Sequence, residues 1–149
     1  MSRRTTSSPA EVLRREAIDA VRAVYADLAA RPVERACTLR TECCQFKLTG
    51  RVPQLTKGEA ILAAKALRAS GRKALPERED GACPLLRQDG RCLVYEARPF
   101  GCRTHFCAAA GGAYARGEVV DLIRRLEAAD LKLGGDGPRG IAAAVAAEL

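Results

Sequence analysis

At 149 residues the chain is long enough for one domain with a real core, and its few aromatics and abundant alanine favour helices over sheets. No stretch reaches the roughly 18 apolar residues that a membrane helix needs, and the opening Met-Ser-Arg-Arg-Thr-Thr-Ser-Ser-Pro has no apolar run of a secretory signal, so a cytosolic setting is expected. The net charge of +7 permits nucleic acid as a partner, but scarce aromatics and the absence of a recognition-helix spacing argue against it.

Residues 1–7 are polar. Ser8-Pro9-Ala10-Glu11 then offers a capping serine, a proline at the first helical position and a glutamate at the third. This predicts a helix over 8–30, with Val12, Ala17, Ala20, Val21, Val24 and Leu28 as its apolar stripe. Pro32 disfavours helix at Arg31 and ends it. A first cysteine knot follows at 36–46, then a loop over 47–55 with room for a short extended piece. Thr56-Lys57-Gly58-Glu59 reads as a second capping box. The helix it opens turns Ala60, Ile61, Ala63, Ala64 and Leu67 inward and stops near Ser70-Gly71.

Residues 72–82 are charged and read as an exposed connection. The main cysteine knot, 83–107, carries turn signals at Asp89-Gly90 and Arg98-Pro99. Leu93-Val94-Tyr95 fits a brief strand or an irregular loop equally well. After a glycine-rich piece, Val119, Leu122, Ile123, Leu126, Ala129 and Leu133 define a third amphipathic helix, with Glu118 and Asp121 at its start and Lys132 near its end. Residues 134–138 read as a linker, and Ile141, Val145 and Leu149 as the stripe of a last short helix. The expected fold is mainly α: a small helical frame around two cysteine-rich metal-binding loops. It forms a single domain over 1–149, with an N-terminal helix at 8–30, a metal-binding core at 37–107 and C-terminal helices at 118–149.

Seven cysteines admit disulfides, metal or redox chemistry. Their odd number and a reducing cytosol weigh against disulfides, and no Cys-x2-Cys redox pair is present. Thiolates select zinc, copper(I) or iron–sulfur clusters. Cys37, Cys43, Cys44, Cys83, Cys92, Cys102 and Cys107, with the single histidine His105, make eight potential ligands. Eight is enough for two closed tetrahedral sites, or for one cluster and a second ion. Neighbours in an extended segment point to opposite sides, so Cys43 and Cys44 are suited to bridge two sites. His105 is a ligand, an outer partner of one, or an ordinary surface or core histidine. Arg98 and Arg103 either donate to thiolates or carbonyls or are plain solvated charges, and Tyr95 reads as a packing residue with its hydroxyl satisfied. Thiolates are left out of formal charge counting, so part of the excess positive charge offsets them.

The order Cys…Cys-Cys, then Cys-Pro-Leu-Leu, Asp-Gly-Arg-Cys-Leu-Val-Tyr-Glu-Ala-Arg-Pro and Cys-Arg resembles a bacterial family described as zinc- or iron-chelating. That family carries a Cys-x2-Cys-x2-Cys-Cys signature. The resemblance covers roughly residues 37–107, closest from Cys83 through Arg103. It departs at Arg40, which stands where the family's second cysteine falls, so another group such as His105 or Cys107 replaces that ligand or the site has lost it. The resemblance implies binding of zinc or iron, as an ion or as an iron–sulfur cluster, with the metal ion as partner. It implies no particular reaction. An iron–sulfur enzyme or redox accessory protein is the alternative.

Overall fold

The computed structural model describes residues 6–31, 52–76, 80–87, 91–104 and 115–149. The first helix, α1 (Pro9–Ala30), begins as its cap dictates. Ser8 Oγ accepts from the Glu11 amide at 3.2 Å, and the Glu11 carboxylate accepts from the Ser8 amide at 3.0 Å. It ends at Arg31, which is extended as the following proline requires. Its buried face is Ala17, Ile18, Val21, Val24, Tyr25 and Leu28. Val12 was expected on this stripe but is 39% exposed, and Ala20 is only half-buried. Residues 9–16 are all exposed, so the apolar face starts one turn later than periodicity suggests and takes in Ile18 and Tyr25.

The second helix, α2 (Lys57–Ala69), is buried without a break from Gly58 to Ala64 and leaves Lys65, Arg68 and Ala69 exposed. Ile61 and Leu62 join one core with α1, while Ala60, Ala63, Ala64 and Leu67 face a second core. Alanines keep its girth small enough to pack between the two. At its C-terminus Gly71 adopts φ +90°, and the Arg72 amide closes back on the Leu67 carbonyl at 3.2 Å.

A 3₁₀ turn at Tyr95–Ala97 precedes α3 (Phe100–Thr104), so Leu93-Val94-Tyr95 is not a strand. Next comes α4 (Arg116–Lys132), buried through Val119, Leu122, Leu126, Ala129 and Asp130. Arg31 at the end of α1 reaches the Glu118 carbonyl at 2.6 Å and the Asp121 carboxylate, while Asp27 pairs with Arg125. Lower numbers on one helix meet higher numbers on the other, so α1 and α4 run antiparallel.

The expected linker at 134–138 is a structured turn. Asp130, buried on α4, accepts from the Gly137 amide at 3.0 Å and from the Lys57 amide at 2.8 Å, and so caps α2 from another helix. A side chain at Gly135 would sit 2.2 Å from that carboxylate, which explains the glycine. The turn leads into β2 (Arg139–Gly140), which pairs antiparallel with β1 (Gln54–Leu55), the extended piece expected before α2. The last helix, α5 (Ile141–Ala147), buries Ile141, Ala144 and Val145 against α2 and leaves Leu149 37% exposed beyond its end. The described residues are mainly helical, with one two-residue pair of strands.

Candidate metal centre

Three of the eight expected ligands lie among the described residues: Cys83, Cys92 and Cys102. Cys37, Cys43, Cys44, His105 and Cys107 lie outside them, as do Arg40 and the Asp89-Gly90 turn. Cys83 opens a turn in which its carbonyl accepts from the Leu86 amide at 3.0 Å. Leu86 then bridges antiparallel to Cys92, and the Leu93 amide donates to the Leu85 carbonyl at 2.8 Å. A small hairpin thus carries both cysteines. It is held down by Leu85, Leu86 and Val94, which are buried in the α2–α5 core. Cys83 is 4% exposed, and Cys92 is half-buried at the edge of that core.

Cys102 is half-buried on α3. Pro99 is fully buried ahead of this helix and Phe100 enters the α1–α4 core, so α3 is seated by its first residues. Among the described residues, no group of three or more Cys, His, Asp or Glu side chains is placed to hold an ion. The hairpin and α3 therefore carry donors without forming a complete ligand set by themselves. The donor type fits zinc or iron: thiol sulfur on short, well-anchored segments, with two of the three sulfur-bearing residues reachable from solvent.

The arginines beside these cysteines bond to carbonyls. Arg103 donates through Nε to the Arg98 carbonyl at 2.6 Å and through Nη2 to the Glu96 carbonyl at 2.7 Å, and Arg98 Nε donates to the Tyr95 carbonyl at 3.0 Å. The Arg98 guanidinium lies over the Tyr95 ring, 3.9 Å from its centroid. Tyr95 is therefore a partly exposed surface ring under an arginine and not a core packing residue. Arg103 stacks on Tyr25 at 4.1 Å, and its partial burial lowers its pKa from the ordinary arginine value.

Sequence reasoning treated Glu59 only as half of a capping box and did not single out Tyr25. Glu59 is 2% exposed. One carboxylate oxygen accepts from the Thr56 amide and hydroxyl, each at 2.9 Å. The other accepts from the Phe100 amide at 2.7 Å and the Tyr25 hydroxyl at 3.3 Å. Burial pushes the Glu59 carboxyl above the usual range, and these four donors hold part of that rise back. Burial first, then the nearby Glu59, raises the Tyr25 phenol well above its ordinary value. The available signal was the unbroken run Ala60-Ile61-Leu62-Ala63-Ala64, which encloses the start of α2 on every side.

The arrangement is that of a helical protein displaying cysteine on anchored loops. A family model with the description "CxxCxxCC: Putative zinc- or iron-chelating domain" matches residues 35–120, more than half of the chain. The chain belongs to this family. No curated protein and no solved structure matches it. No helix among the described residues is long and apolar enough to cross a membrane.

Proposed function

We propose that the chain is a cytosolic metal-binding protein that chelates zinc or iron through two cysteine-rich loops. The observation that carries this is the family match, whose span includes all seven cysteines and His105. Cys37, Cys43 and Cys44 belong to the first loop, and Cys83, Cys92, Cys102, His105 and Cys107 to the second. The whole of 1–149 acts as one domain, in which the helices hold the second loop and the ion joins it to the first. Bound zinc would supply folding energy as a cross-link, while bound iron in a cluster would supply one-electron chemistry. The protein's own part is to hold reduced sulfur at fixed points. The hairpin does so for Cys83 and Cys92, and α3 does so for Cys102.

A second reading, an iron–sulfur enzyme or redox accessory, draws on the same donors, since thiolates also build such clusters. Colour separates the two. A brown protein with visible absorption supports the cluster, and a colourless one with stoichiometric zinc supports plain chelation.

Cys92→Ser and Cys102→Ser are expected to lose metal and to melt at lower temperature than the parent, because the binding energy of a structural metal is folding energy. Metal content by elemental analysis, with thermal unfolding followed by circular dichroism, checks this. Variants that melt like the parent with full metal content contradict it.

A further inference from the structure

Cys102 sits on a helix of five residues, Phe100–Thr104. A helix that short has no stability of its own, so its placement comes from what grips it. The grip forms a closed circuit. The Phe100 amide donates to Glu59 at 2.7 Å, and the same oxygen of Glu59 accepts from the Tyr25 hydroxyl at 3.3 Å. The Tyr25 ring carries the Arg103 guanidinium 4.1 Å from its centroid. Arg103 is the residue after Cys102, and Phe100 lies two before it. Cys102 is thus held between two anchored neighbours. Arg103 also fastens the carbonyls of Glu96 and Arg98, which lie in the segment joining Cys92 to Cys102.

We propose that Glu59, Tyr25 and Arg103 are positioning residues that set where Cys102 presents its sulfur relative to Cys92; this rests on the reading of Cys102 as a metal ligand. Metal sites demand ligand distances within about 0.2 Å of ideal. A cysteine on a loosely seated five-residue helix cannot meet that demand. The circuit removes the freedom of α3 to swivel, using one buried carboxylate, one aromatic face and one guanidinium fork. Lysine keeps the charge of Arg103 but not the fork, and phenylalanine keeps the ring of Tyr25 but not the hydroxyl.

The test uses the full chain loaded with Zn²⁺ without oxygen, with zinc release to a competing chelator measured for the parent, Tyr25→Phe, Arg103→Lys and Cys102→Ser. Tyr25→Phe and Arg103→Lys are expected to release zinc about ten-fold faster, the range typical of partners just outside the ligand sphere, with unchanged far-ultraviolet circular dichroism. Cys102→Ser is expected to fail to hold a full complement of zinc. Parental release from both clamp variants, with metal lost in Cys102→Ser, overturns the positioning role and leaves the ligand reading standing. Full zinc retention by Cys102→Ser overturns both. Faster release accompanied by lost helical signal also overturns the positioning role, because the circuit would then be plain support of the fold.

Discussion

Glu59 is one side chain through which burial gives this fold a pH response. Its carboxyl titrates above the usual range in the folded chain because burial outweighs its four donors. The folded state therefore holds the Glu59 proton more tightly than the unfolded state. The resulting stability is fully present below the ordinary carboxylate pKa and is lost as pH rises through the raised value. The exposed Asp121, lowered chiefly by its hydrogen bond from Arg31, acts in the opposite sense and loses its contribution as pH falls. Glu59→Gln is expected to remove the part of the pH dependence of the melting temperature that Glu59 contributes, a fall with rising pH just above the ordinary carboxylate range. Melting temperatures of both proteins in the same metal state, taken across that window, check this. Parallel curves would contradict it.

Among the elements, α1 and α2 meet where a residue without a side chain is required. A Cβ at Gly58 would lie 2.7 Å from Val21 Cγ2 and 3.3 Å from Leu133 Cδ1. Valine is stiff at χ1 and cannot swing away cheaply. Glycine to alanine within a helix ordinarily stabilises by roughly 0.5–1 kcal/mol. Here overpacking, typically about 1–3 kcal/mol, sets the sign. Gly58→Ala is therefore expected to destabilise the chain in urea unfolding, and a stability equal to or above the parent's would show that the helices can separate at this point. Most elements were legible in the sequence because their ends are written in local chemistry: Ser8 with Glu11, Gly71 after Ser70, Gly134 after Leu133. The inner faces were less legible. Periodicity placed Val12 in the core, yet the first two turns of α1 are exposed, and α2 packs on two sides, which a one-sided stripe does not describe. In sequence nothing singles out Asp130, and Glu59 reads only as half of a capping box. Only the tertiary arrangement shows them accepting from the amides of Lys57 and Phe100 on other helices.

For the molecule as a whole, two packed cores share α2, and the cysteine-bearing hairpin and α3 are seated on them. The helical frame was readable from composition and pattern, and the family from the run Cys83 to Arg103. The ligand set was readable only as residue types, because no local rule in the sequence says which distant thiols would share an ion. What joins the loops in this account is an ion gripped by sulfur. Elemental analysis of the full chain, purified without oxygen and never exposed to chelator, tests that most directly. The account predicts zinc or iron in at least equimolar amount with the protein. A well-folded, fully reduced preparation containing neither metal would contradict it.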